Sequence, residues 1–272
     1  MQDIRLVALD LDDTVFDSKK HITPRTRAAM RAALDKGVLV IPATGRTASG
    51  VPKEFSEMPG VDYLLTSNGA SVVDQRTGRK LVHQPFAAGD ALAVYEALRG
   101  HDGMISIFVD GEAYFDEAMQ KEVAHFTPPA LRPYLMTRRT VPELGAYVAE
   151  RAGEIEKFSI MYPDLATRDA AWAAVTAACE VEATTSMPLN LELNAPGVNK
   201  GSALLALAGV LGLRPAQVMA CGDSGNDLEM VRMAGLGVAM ENATDAVKAV
   251  ADYITADNNH DGVALAIEKF VL

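Results

Sequence analysis

The strongest constraint on this chain is a repeated pattern: short apolar runs that stop abruptly at polar, glycine-containing turns. Leu6–Leu9 stops at Asp10-Leu11-Asp12-Asp13-Thr14, residues 38–41 at Thr44-Gly45-Arg46, residues 61–65 at Ser67-Asn68-Gly69, and residues 217–221 at Gly222-Asp223-Ser224-Gly225-Asn226-Asp227. Helical patterns separate the runs. Thr23 is placed to cap a helix whose first residue is Pro24, and Gly37 suits its end. Buried strands alternating with helices predict an α/β fold, a parallel sheet covered on both faces. In such a sheet ligands bind outside the carboxyl ends of the strands. Four polar turns far apart in sequence are therefore expected to meet along one edge.

The rhythm changes in the middle of the chain. Residues 104–109 and 113–115 flank Asp110-Gly111-Glu112 as a hairpin, and Thr127-Pro128-Pro129 opens an irregular stretch. Residues 180–186 read as the last strand of this block. The α/β pattern then returns from Leu189. The expected organisation is a core of residues 1–83 and 189–272 interrupted by an inserted α+β domain, residues 84–188.

Composition narrows the possibilities. A chain of 272 residues with 49% hydrophobic and 22% charged residues has the profile of a soluble globular protein. A formal net charge of −11 argues against a nucleic-acid partner, which clustered Lys and Arg would serve. The longest apolar segment, residues 203–213, is too short to span a bilayer. No basic segment followed by an apolar stretch and a cleavage site opens the chain, so a cytoplasmic location is expected. Cys179 and Cys221 are expected to be free thiols, and no Cys/His cluster has zinc spacing.

The acidic turns carry the chemistry. Asp10 and Asp12 lie two apart, so an extended chain would project both to one side, and paired carboxylates call for a cation nearby. A carboxylate can also attack phosphorus. Thr44 and the Gly45 turn offer a hydroxyl and N–H groups for phosphate oxygens. Lys200 stands just before a helix expected to begin at Gly201 or Ser202, where a lysine opposes the helix dipole unless both face an anion. Asp223, Asn226 and Asp227 supply more polar groups than helix capping needs. Asp223 is a candidate metal ligand, and Asp227 either a further ligand or a partner that orients Lys200. Ser67-Asn68-Gly69 is adequately explained as a tight turn.

These residues in this order resemble the haloacid dehalogenase-like (HAD) superfamily. Its motifs match Asp10-x-Asp12-x-Thr14, Thr44 within Thr-Gly-Arg, Lys200, and Gly222-Asp223-x-x-Asn226-Asp227. Ser67-Asn68-Gly69-Ala70, Asp261-Gly262-Val263-Ala264 and the long insert add a likeness to Cof-type sugar-phosphate phosphatases with a type IIB cap. The resemblance implies a Rossmann-like core and a cap that closes over the site and chooses the leaving group. It implies a Mg²⁺-dependent phosphatase in which Asp10 is the nucleophile that becomes an aspartyl phosphate. Asp12 would be the acid and base. Mg²⁺ would be held by Asp10, the Asp12 carbonyl and Asp223. Thr44, Gly45, Lys200 and Asn226 would lie around the phosphate, with Asp227 in support. The implied partner is a small phosphorylated substrate, with the protein a monomer or homodimer. A sugar phosphomutase of the same cap type and a non-enzymatic phosphate-binding protein are the alternatives. Asp13 departs from the family, which usually has Gly there; a positive φ at that position would suit Asp better than most residues.

Overall fold

The computed structural model of the chain describes residues 3–127, 129, 132–135 and 138–272. In chain order the first stretch forms β1 (Leu6–Leu9), α1 (Pro24–Asp35), β2 (Leu39–Pro42), α2 (Lys53–Ser56), β3 (Tyr63–Thr66), β4 (Ser71–Asp74) and β5 (Arg79–His83). The middle forms α3 (Ala88–Leu98), β6 (Met104–Val109), β7 (Glu112–Asp116), α4 (Val123–Phe126), α5 (Arg132–Leu135), β8 (Arg139–Val141), α6 (Leu144–Arg151), β9 (Ile155–Met161), α7 (Leu165–Ala178), β10 (Glu182–Thr184) and β11 (Asn190–Asn194). The last stretch forms α8 (Lys200–Val210), β12 (Val218–Gly222), α9 (Leu228–Met233), β13 (Leu236–Ala239), α10 (Asp245–Val250), β14 (Tyr253–Ile254) and α11 (Gly262–Phe270).

The chain divides into two compact units, one of residues 1–45, 51–82 and 199–272, the other of residues 46–50 and 83–198. The first unit is built on a parallel sheet of strand order β14-β13-β12-β1-β2. Alternate residues of β1 serve opposite cores. Val7 and Leu9 join Met30, Phe55 and Ile267 on one face, while Leu6 and Ala8 join Leu204, Leu207 and Met230 on the other. Burial on both faces is why these strands are continuous apolar runs. The helix starts follow the local chemistry: the Thr23 side chain accepts from the Thr26 N–H with Pro24 next in line, and Gly37 takes φ +78° after α1.

The sheet departs from expectation beyond β2. The strand expected over residues 61–65 is β3, which pairs antiparallel with β4 in a small β3-β4-β5 sheet and meets β2's continuation through one parallel bridge, Ala43 to Leu65. The tight turn at Ser67-Asn68-Gly69 reverses the chain there, whereas a helical crossover would have kept it parallel.

The second unit carries a six-stranded sheet of order β10-β11-β9-β6-β7-β8. Its hairpin β6–β7 turns at Asp110 and Gly111, φ +51° and +78°, the left-handed pair a two-residue turn demands. The expected boundary at 188 is corrected here. β11 pairs antiparallel with both β9 and β10, so β10 does not close the block and the second unit runs to Val198. Pro128 of the stretch expected to be irregular lies outside the described residues.

Candidate active site

Adjacent strands β12, β1 and β2 end side by side, and a polar residue stands within two positions of each end. Asp10 follows β1, and its N–H donates to Cys221 O on β12. Asp223 follows β12. Thr44 lies just past β2, its N–H donating to Leu65 O.

Lys200 joins these ends to the helical layer. It is the first residue of α8, one position earlier than expected, because Asn199 caps the helix. The Asn199 side chain accepts from Ser202 N–H, and Ser202 Oγ accepts from Asn199 N–H in return. The Lys200 side chain is fully buried, with Nζ donating to Asp10 Oδ1 at 2.6 Å and to Asp227 Oδ1 at 2.7 Å. Burial opposes its charge, but Asp10 and Asp227 outweigh that and hold the ammonium ionised. The cost of a cation at a helix start is thus met by two carboxylates.

Asp227 is equally enclosed. Its Oδ2 accepts from the N–H groups of Asp223 and Ser224, and Ser224 and Asp227 cap each other reciprocally. The spacing Ser-x-x-Asp is itself a capping signal, and it marks Ser224 as a further residue of the site. Gly222 gives Asp227 room: a Cβ there would lie 2.5 Å from the Asp227 Cβ. Asp223 Oδ1 accepts from Thr14 Oγ1 at 2.7 Å.

Among the described residues, Asp10, Asp223 and Asp227 each offer a carboxylate oxygen within 4.8 Å of the others. Burial, and then the neighbouring Asp227 charge, push the Asp223 carboxyl up to about 7 and raise Asp10 well above the usual carboxylate range. Three buried carboxylates around one lysine leave negative charge uncompensated. That oxygen-rich, anionic set fits a hard divalent cation.

Asp12 stands apart from this group. The expected parallel projection of Asp10 and Asp12 is corrected: the chain leaves β1 in an irregular helical turn over Leu11–Val15. Asp10 is buried at 5% exposure, whereas the Asp12 side chain is 42% exposed, with Lys20 Nζ 3.3 Å from its Oδ1. One carboxylate is locked against Lys200 and the other faces water, so two like groups stand in different environments. Asp13 has φ +60°, the left-handed conformation anticipated for a family glycine, and its carbonyl accepts from Asn242 Nδ2.

Asn226 is half-buried, held by Ser224 Oγ on its Oδ1 and donating from Nδ2 to Asn68 Oδ1 at 3.2 Å. Gly45, also half-buried, is the last residue of the first unit before Arg46. The turn at residues 67–69, explained from sequence as a tight turn, therefore also touches the site's fourth motif. Cys221 is fully buried in the core as expected, and both cysteines are free. No helix among the described residues is long and apolar enough to cross a membrane.

Residues 7–267 match the model of a family described as haloacid dehalogenase-like hydrolase. A 5-amino-6-(5-phospho-D-ribitylamino)uracil phosphatase of Bacillus subtilis (strain 168) is 34% identical over 274 residues, covering 99% of this chain and 97% of that protein. A pyridoxal phosphate phosphatase of Escherichia coli (strain K12) is 28% identical, covering 98% and 99%. Among solved structures, a phosphatase of the haloalkanoate (HAD) enzyme superfamily from Bacteroides thetaiotaomicron superposes with a TM-score of 0.80 at 25% identity, covering 98% of this chain and 95% of that one.

Proposed function

From the premise that this chain belongs to the haloacid dehalogenase-like hydrolases, we propose that it is a Mg²⁺-dependent phosphatase of small phosphate monoesters, with sugar phosphates as the expected class. The observation that carries this is Lys200 Nζ set between Asp10 at 2.6 Å and Asp227 at 2.7 Å, with Asp223 in the same carboxylate group. That arrangement immobilises one carboxylate oxygen of Asp10 and places positive charge where a phosphoryl group would gain it.

Asp10 attacks phosphorus, and the bond from phosphorus to the substrate oxygen breaks as the aspartyl phosphate forms. Asp12, open to water, gives its proton to the departing alkoxide. It then takes a proton from the water that attacks the aspartyl phosphate, releasing inorganic phosphate and restoring Asp10. Lys200 stabilises the charge on the equatorial oxygens. Thr44, the Gly45 N–H and Asn226 complete the set of groups assigned to the phosphate. Mg²⁺ would be held by Asp10, the Asp12 carbonyl and Asp223, supplying charge neutralisation for the incoming phosphoryl group. Asp227 acts through Lys200, and its two N–H contacts fix the Asp223 turn. On this reading the enzyme is cytoplasmic, a monomer or homodimer.

The test is release of inorganic phosphate from an aryl phosphate, with and without Mg²⁺, in the intact protein and in Asp10→Asn. Release that requires both Mg²⁺ and Asp10 is expected. Equal release by Asp10→Asn, or none from the intact protein with metal across a broad panel of phosphate esters, overturns the proposal.

A further inference from the structure

Three consecutive residues, Ser67, Asn68 and Gly69, take φ of +53°, +55° and +101°. Left-handed backbone at two adjacent non-glycine residues is costly and persists only where the surroundings enforce it. Here the enforcement comes from every side. All three residues are buried, Ser67 at 0% and Asn68 at 2% exposure. The Asn68 N–H donates to Thr44 O at 3.1 Å, so the turn is tied to the backbone of the phosphate-binding candidate after β2. Gly69 lies flat against the cap of α8: a Cβ at this position would fall 2.3 Å from Asn199 O and 2.9 Å from the Ala203 Cβ. That helix begins with Lys200. Asn68 Oδ1 accepts from Asn226 Nδ2 at 3.2 Å, while Asn226 Oδ1 accepts from Ser224 Oγ at 2.9 Å. The Asn226 amide is thereby fixed at both ends.

One turn thus bears on three of the four site motifs: the Thr44 backbone, the start of the Lys200 helix and the Asp223–Asp227 turn. A tight reversal between β3 and β4 needs none of these contacts. We infer that Asn68 is a positioning residue for phosphoryl transfer: its side-chain carbonyl orients the Asn226 amide, and its strained backbone, with Gly69, sets the depth to which Lys200 reaches Asp10. It does not touch the reacting atoms. This inference rests on the phosphatase reading and falls with it.

The variant that tests the side chain is Asn68→Gly, because glycine adopts φ +55° without strain and the contact to Asn226 Nδ2 is lost with the side chain. Asn68→Asp keeps both the conformational preference and an acceptor oxygen. With an aryl phosphate and saturating Mg²⁺, Asn68→Gly is expected to lower kcat on the order of 10-fold, the range seen when a supporting contact to a site ligand is removed, while KM changes little and the folded baseline in thermal denaturation is kept. Asn226→Ala combined with Asn68→Gly should be no slower than Asn226→Ala alone, because the two act through one contact. Asn68→Asp should recover most of the loss. Effects of Asn68→Gly and Asn226→Ala that multiply, or an unchanged kcat in Asn68→Gly, contradict the role of Asn68 while the parent's phosphate release keeps the functional reading intact. A parent that releases no phosphate removes both.

Discussion

Both units bury lysines among carboxylates, but they balance them differently. In the second unit Lys157, 1% exposed, pairs with Glu192 at 3.1 Å and lies 4.6 Å from the Phe108 ring centroid. Glu192 Oε1 also accepts from Ser186 and Asn190. Glu192 thus gathers one ammonium and two hydrogen-bond donors, and added hydrogen bonds of this kind make a buried ion pair tolerable. In the first unit Lys200 faces Asp10 and Asp227, and Asp223 adds a third carboxylate. Burial, and then the Asp227 charge beside them, raises both Asp10 and Asp223. An acidic surplus of this kind fits a bound hard cation.

The contrast is sharpest for activity. Asp10→Asn should reduce phosphate release by more than about 1,000-fold, the scale of losing a nucleophile, while Lys157→Met should leave the chemical step of the surviving folded protein largely intact. Steady-state assays on the two variants decide this. For stability the ranking changes. Removing one partner of a buried pair costs about 3–5 kcal/mol, so Lys157→Met and Lys200→Met should both lower the urea midpoint strongly. Replacing Glu192 by Leu in the Lys157→Met background should recover most of the loss, as matched apolar substitutions do. Adding Asp227→Leu to Lys200→Met should not restore phosphate release. Recovery there would mean that Lys200 is merely structural.

A smaller effect follows from pH. A carboxyl raised in the folded state keeps its proton where the unfolded chain has lost it, so the native form binds more protons and stability falls as pH rises. For Asp223 the window runs from the unfolded value of 3.8 to about 7, and Asp10 adds in the same direction. Thermal melts with a chelator should therefore drop by several degrees across that window, and Mg²⁺ should restore most of the loss at its upper end. At 100 times its Kd a ligand adds about 2.7 kcal/mol. A flat profile with chelator would show that the surplus charge is compensated within the protein. The smallest change expected is Asp13→Gly. At φ +60° glycine relieves strain in the folded chain but loses more entropy on folding, so stability should move by less than about 1 kcal/mol. The Mg²⁺ titration midpoint should shift by less than about threefold, since Asp13 is exposed and already faces Lys20 at 3.5 Å.

What the sequence made legible follows the same division. The strand ends of the core were readable because an apolar run buried on both faces must stop at polar residues when it leaves the sheet. Thr23-Pro24 and Gly262–Phe270 were readable because capping and helical periodicity are local. β11 was not. Its residues Asn190, Glu192 and Asn194 are polar and yet buried. Asn194 Nδ2 bonds Glu156 O and Glu192 meets Lys157, partners more than thirty residues away. The hairpin β4–β5 escaped for want of a strong alternation. At the site, residue types announced Asp10, Asp12, Lys200 and Asp223, but the separate surroundings of Asp12 and the contact of Asn68 with Asn226, 158 residues apart, exist only once the chain is folded.

We propose that the carboxylate gripped by Lys200 is the one that receives the phosphoryl group. Rapid acid quench of the intact enzyme turning over a ³²P-labelled phosphate monoester with Mg²⁺, followed by peptide mapping, measures it directly. Hydroxylamine-labile label is expected on the peptide carrying Asp10, absent in Asp10→Asn and retained in Asp12→Asn. Label on the peptide carrying Asp223 and Asp227, or undiminished label in Asp10→Asn, would contradict it.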